Sequence, residues 1–194
     1  MTRPCKYTYI NDIKHLIGIS KEHFDYKIIE NAIEIYCKSS DIDRSVNNTY
    51  RFLASVYASC IKNKYPVSKR EIIKIFDKNS IKKFMTAYRN IADSVTTERY
   101  NFEVIDFIKR YSNEIRLGND EMSRIINKYK EIQDKIAEKN LQNHIIAITL
   151  IYMNSDLTIS RASMVGNTSE ASIRKYEKII ERSENCDKNR VEKL

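Results

Sequence analysis

The residues with the most suggestive chemistry lie near the C-terminus, in "TISRASMVGNTSEASIRKYEKI", which runs from Thr158 to Ile179. Small side chains at Ser169, Ala171 and Ser172 precede Arg174 and Lys175, and Arg182 follows about two turns later. A helix N-terminus presents unpaired N–H groups and a positive dipole end, which suits phosphate. Small residues at such a start let the backbone approach the wall of a DNA groove. Arg174, one turn further in, has the reach to pair bidentately with guanine O6 and N7, a contact worth roughly 1–3 kcal/mol of base discrimination. Lys175 and Arg182 suit phosphate contacts, which position a protein without reading sequence. The same spacing also fits an ordinary turn, with Thr168 or Ser169 as an N-cap and Arg174 as a solvated surface residue. Spacing alone leaves both readings open.

A second charge-bearing stretch lies upstream. The net charge is +8, and it is unevenly spread. Between Lys62 and Arg89 nine basic residues (Lys62, Lys64, Lys69, Arg70, Lys74, Lys78, Lys82, Lys83, Arg89) face two acids, Glu71 and Asp77. A solvated helical face is the plain reading of any charge run. The concentration here points to a polyanion: Lys62, Lys64, Arg70, Lys74, Lys82 and Lys83 are candidate DNA contacts. An acidic protein surface is the competing partner for the same residues.

Other chemistries find little support. His15, His23 and His144 are far apart and form no base–nucleophile pattern, so no catalytic residue is nominated and no enzyme is expected. No P-loop or GxGxxG is present. The four cysteines (Cys5, Cys37, Cys60, Cys186) lack CxxC spacing and partner histidines, so no metal site or cofactor is expected. Cys37 and Cys60 read as reduced core thiols. No apolar run approaches the roughly 20 residues that span a bilayer, and "MTRPCKYTY" lacks a signal-peptide h-region. The sequence therefore reads as an intracellular, monomeric protein without a membrane partner.

The elements that must position these residues are helical. Apolar residues make up 42% of the 194-residue chain, with only three Gly and two Pro, which favours long uninterrupted helices. The helices form two series. "KIIENAIEIYCK" (from Lys27) resembles "RIINKYKEIQDK" (from Arg124) at an offset of 97. "FLASVYASCI" (from Phe52) pairs with "AITLIYMNSD" (from Ala147) at 95, and "NSIKKFMTAYRNI" (from Asn79) with "NTSEASIRKYEKI" (from Asn167) at 88. Order is kept while the offset shrinks, as duplication with shorter loops in the second copy would produce. This register sets Tyr57 opposite Tyr152, Tyr88 opposite Tyr176, Phe84 opposite Ser172 and Thr86 opposite Arg174, so that only the second copy looks fitted for a groove.

Five helices are expected per copy: Tyr7–Ile17, Lys21–Ser39, Val46–Lys62, Ser68–Phe76 and Ser80–Ser94, then Phe102–Arg116, Asn119–Lys139, Leu141–Asn154, Thr158–Val165 and Ser169–Ser183. Ser20, Ser68, Ser80, Asn119, Thr158 and Ser169 are the expected caps. Gly18, Gly118 and Gly166 are expected between helices, as residues tolerant of positive φ. The third helix of each copy is apolar on most sides and belongs at the centre of its bundle. The expected organisation is a first repeat over 1–94, a linker over 95–101, a second repeat over 102–184 and a disordered tail over 185–194.

Two tandem five-helix repeats with these segments resemble the core of transcription factor IIB and its archaeal counterpart, transcription factor B. "YASCIKNKYPVSKREI" is similar to the family's central helix, basic loop, proline and "(T/S)xKEI" helix start. "LTISRASMVGNTSEASIRKYEKI" is similar to its "TxKEIxxxAGVxxxTIRxxYxxI" segment, with Thr158, the Ser172–Arg174 triplet and Tyr176 at matching spacing. The resemblance covers about residues 7–183. It implies two cyclin-like domains, the second ending in a helix-turn-helix, in a transcription initiation factor that binds double-stranded promoter DNA beside the TATA element together with TATA-binding protein. RNA polymerase is a further implied partner. By the same resemblance the helix from Ser169 enters the major groove, with Ala171, Ser172 and Arg174 at contacting positions, and Lys82 lies near downstream DNA.

The pattern departs from the family in three places. The 194 residues read as a core without the family's zinc ribbon and reader segment, "KEI" is "SRA" (Ser160–Ala162) in the second copy, and the turn glycine falls one position early. The chain is read as the core of an initiation factor or a ribbonless relative. The rivals are a cyclin-like adaptor for a kinase or other protein that never touches DNA, and a ribbonless competitor of the full factor. The implied location is the nucleus for a eukaryotic source, and cytoplasm or a virus factory for an archaeal or viral one.

Overall fold

A computed structural model of the chain describes residues 6–40, 47–94 and 102–191, with side-chain surroundings for 13–39, 47–92 and 102–184. Cys5, the linker 95–101 and the side chain of Cys186 lie outside these. The protein is all-α: the described residues form ten helices and no strand. The chain divides into two compact units, Met1–Asn101 and Phe102–Leu194. Unit 1 holds α1 (Lys6–His23), α2 (Tyr26–Ser40), α3 (Asn48–Lys62), α4 (Lys69–Ile75) and α5 (Ile81–Ser94). Unit 2 holds α6 (Val104–Glu114), α7 (Asn119–Ala137), α8 (Asn143–Met153), α9 (Ile159–Val165) and α10 (Glu170–Val191).

Each unit is built around its third helix. In α3 every residue from Tyr50 to Ile61 is buried, and in α8 every residue from His144 to Ile151. All four other helices of unit 1 pack on α3, and all four others of unit 2 pack on α8. Helices apolar all round have no face to leave in water, so they are wrapped. Phe52 meets Tyr36 and Phe76 edge-on, at centroid separations of 5.9 and 6.1 Å, and Tyr57 meets Phe84 at 5.8 Å, which ties α2, α4 and α5 to α3. The outer layers differ between the units. In unit 1 α2 is the main cover of α3, burying Ile28, Ile29, Ala32, Ile35 and Tyr36. In unit 2 α6 takes that role with Val104, Phe107, Ile108 and Tyr111, while α7 buries only Ile125, Ile132 and Ile136.

Four expected caps form. Ser68 and Glu71 make a reciprocal capping box, Thr158 Oγ1 accepts from Arg161 N at 3.3 Å, Ser80 Oγ accepts from Lys83 N at 3.3 Å, and Ser169 Oγ accepts from Ser172 N at 3.1 Å. Two do not. Asn119 is the first residue of α7, whose cap is Gly118, with Glu121 Oε2 accepting from Gly118 N at 3.3 Å. Gly18 and Ser20 lie inside α1, and the chain breaks instead at Phe24–Asp25. Ser20 satisfies its hydroxyl on its own helix, donating to Leu16 O at 2.9 Å, and one exposed glycine costs a helix only about 1 kcal/mol.

The glycines do not supply left-handed backbone. No glycine has positive φ; that conformation falls to Lys64, Asp77, Arg116, Asn140 and Asn167, each just past the end of a helix. Gly166 is required for space: a Cβ there would lie 2.6 Å from Ile148 Cγ2. At the C-terminus, α10 continues past Ser183 to Val191, across most of the stretch expected as a tail, through a sequence without Gly or Pro.

Candidate nucleic-acid interface

In unit 2 the short helix α9 leads through four residues, Gly166 to Ser169, into α10. Gly166 N closes α9 on Ala162 O at 2.8 Å, and Asn167 turns the chain with φ 46°. Thr168 N then returns to Ser163 O at 3.1 Å while Ser163 Oγ donates to Thr168 O at 2.7 Å, so the turn is held from both sides. The Ser169 and Ser172 hydroxyls lie 2.8 Å apart and are engaged with each other in the cap. α9 packs on α8 and α10, and α10 packs on α8. A short helix, a tight turn and a longer helix thus stand against a central core helix.

The two faces of α10 are distinct. Ile173, Tyr176, Ile180 and Ser183 are buried, and Tyr176 Oη accepts from Gln142 N at 3.0 Å. Ala171, Arg174, Lys175, Lys178 and Arg182 are all exposed. At 3.6 residues per turn these five form one outward stripe, with Glu170, Glu177 and Glu181 along a flank. Lys178, four residues beyond Arg174 and absent from the candidates that the sequence suggests, joins the stripe once the buried face of α10 fixes which side is outward. Ser169 is exposed at the mouth of the helix and Ser172 is half-buried.

The upstream candidates occupy several elements of unit 1. Lys62 closes α3, Lys64 sits in the turn beyond it with φ 53°, Arg70 and Lys74 are one turn apart on α4, and Lys82 and Lys83 open α5. All six are exposed. Of the two acids in the stretch, Glu71 is 7% exposed and accepts from Ser68 N at 3.3 Å, so its charge is drawn inward and Asp77 is the exposed one. Lys83 leans over the Tyr50 ring at 5.9 Å, and Lys69, half-buried, over Tyr88 at 6.0 Å.

The structure corrects the register between the copies. Ser80 caps α5 as Ser169 caps α10, and the buried series Phe84, Ala87, Ile91 matches Ile173, Tyr176, Ile180 at a constant offset of 89. Phe84 is therefore the counterpart of Ile173, a core position, and Ala87 that of Tyr176. Arg174 falls opposite Met85, Lys175 opposite Thr86 and Lys178 opposite Arg89. In the preceding turns the offset is 90, since Phe76 and Gly166 are both C-caps and Asp77 and Asn167 both have positive φ. Part of the drift also arises inside a helix: α3 has 15 residues and α8 has 11, one turn fewer.

These features define a two-unit all-α protein in which each unit ends in a short helix, a tight turn and a longer helix with a basic outer face. No protein-family model matches the chain, and no curated protein matches it. Among the described residues no cluster of His, Cys, Asp and Glu could hold a metal ion, and no helix is long and apolar enough to cross a membrane. Cys60 is buried and Cys37 half-buried.

Proposed function

We propose that this chain is the two-repeat core of an initiation factor of the transcription factor IIB class, binding promoter DNA with α10 in the major groove together with TATA-binding protein. The observation that carries this reading is the stripe Ala171–Arg174–Lys175–Lys178–Arg182 on a helix whose opposite face is locked into unit 2. A small residue stands nearest the helix start, and four cations cover the exposed length. That arrangement suits a groove floor contacted by Arg174 and phosphate walls contacted by the rest. The duplicated five-helix plan and the resemblance of Thr158–Ile179 to the family's segment support the class.

A gel-shift titration with a TATA-containing duplex, with and without TATA-binding protein, tests the reading. A ternary complex at low salt is expected. Absence of any such complex overturns the assignment and favours a protein-binding adaptor.

A further inference from the structure

We infer that α5 is a second major-groove reading helix, specific for a base pair through Arg89, so that both units read duplex DNA. The inference rests on the functional reading above and deepens it, since the sequence assigned base reading to the second copy alone. That assignment depended on setting Phe84 opposite Ser172 and Thr86 opposite Arg174; the observed register moves Phe84 to the core position of Ile173, sets Met85 opposite Arg174 and makes Arg89, opposite Lys178, the arginine on the outer face of α5. Phe84 is fully buried against Tyr57 and belongs to the inner face of α5.

The outer face is Lys82, Thr86 and Arg89, at i, i+4 and i+7, all exposed. Thr86 Oγ1 donates to Lys82 O at 3.1 Å, so its hydroxyl is spent on its own helix and its methyl is left to meet an apolar feature such as a thymine methyl. Lys82 stands at the first turn, where a phosphate contact is natural, and Arg89 has the planar fork that pairs with guanine O6 and N7. Charge favours α5 over α10 at the point of entry. The first turn of α5 contains no acid, whereas that of α10 contains Glu170. With no acid in its first turn, the start of α5 is the more favourable of the two for phosphate. The same α3–α4–α5 and α8–α9–α10 packing holds the two helices.

The test uses the full chain and a pool of duplexes with a randomised segment, scored for the sequences retained. Arg89→Lys keeps the charge and removes the fork, and Arg174→Lys does the same in α10. Each is expected to erase the preference at a different base position, by about tenfold, with overall retention little changed. Lys82→Ala is expected to weaken all sequences alike and to reduce the salt slope by about one. An unaltered preference in Arg89→Lys, with wild-type retention intact, overturns this inference and leaves the functional reading standing. If the wild-type chain retains no duplex even at low salt, the functional reading falls and this one falls with it. Circular dichroism of each variant, expected to match wild type, separates a lost contact from a lost fold.

Discussion

Lys128 Nζ donates to Asn154 Oδ1 at 3.3 Å, and in the first unit Asn31 Nδ2 donates to Asn63 Oδ1 at 3.4 Å. Asn154 and Asn63 are the C-caps of the two central helices, and each turns its amide back to the carbonyl four residues earlier, Leu150 at 2.7 Å and Ser59 at 2.8 Å. Lys128 follows Asn31 at the offset of 97 that relates α2 to α7 in the sequence. A side chain of the second helix thus fastens the end of the third in both units, so the same arrangement recurs in hydrogen bonds. In unit 2 the fastening extends further, because Lys128 Nζ also pairs with Glu184 Oε1 at 3.2 Å and so reaches α10. Lys128→Met keeps the aliphatic stem and removes both contacts. It should lower the stability of unit 2 by about 1 kcal/mol, a figure kept small because both charged groups are about one-third exposed. Urea denaturation would register this, and an unmoved midpoint would show that the pair is idle.

Opposite outcomes are expected at two glycines. Gly18 is exposed in α1, and a Cβ there would meet nothing within 4 Å, so Gly18→Ala should stabilise by about 0.5–1 kcal/mol through lower chain entropy. At Gly166 the same change sets a Cβ 2.6–2.9 Å from three atoms of Ile148, a β-branched core side chain that cannot swing away. Gly166→Ala should destabilise by about 1–3 kcal/mol as α9 is pushed off α8. Thermal melts of the two variants should shift in opposite directions; a shift of the same sign would contradict this account of Gly166.

Thr149 is fully buried in α8, and its hydroxyl has no hydrogen-bond partner among the described residues. An unsatisfied buried hydroxyl costs stability, so removing it while keeping the shape should help. Thr149→Val is expected to raise stability by about 1 kcal/mol in a denaturant titration. A loss would mean that the hydroxyl is bonded in solution, for which an internal water is the natural partner.

The parts of this fold that were legible in the sequence are those set by local chemistry. Ser68, Ser80, Thr158 and Ser169 cap their helices because a side-chain oxygen reaches its own N–H groups without help from the rest of the chain. The central helices were legible because "FLASVYASCI" and "HIIAITLIYM" have no polar face to expose. What escaped was set by packing. The break after His23 depends on Phe24 entering the core, while Gly18 and Ser20 carry the conventional signals and do nothing of the kind. Matching Tyr88 to Tyr176 by type sets the two units one residue out of register, whereas burial matches Ala87 to Tyr176; an identical residue type is a weaker guide than an identical environment. Lys64 and Arg116 adopt positive φ, which their types do not announce. In the site, Arg174 and Lys175 were legible from spacing, while Lys178 needed the buried face of α10 to show which stripe is outward.

One prediction concerns alkaline pH. Tyr57 lies in the core of unit 1 with its ring centroid 5.1 Å from Tyr88, and burial, followed by Tyr88 and Cys60, pushes its phenol above the usual range. In the unfolded chain the same phenol ionises near about pH 10. Folding therefore favours the protonated form: the contribution is fully present below about pH 10 and is lost as the pH climbs from there towards the raised folded value. Tyr57→Phe has no proton to lose. The stability of the wild type should fall by about 1 kcal/mol more than that of the variant between about pH 9 and pH 11, as one pH unit above the unfolded value corresponds to about 1.4 kcal/mol. Paired urea titrations at the two pH values measure the difference directly, since the lysines common to both proteins cancel. Parallel losses in the two proteins would show that the Tyr57 hydroxyl reaches solvent as its ring does not.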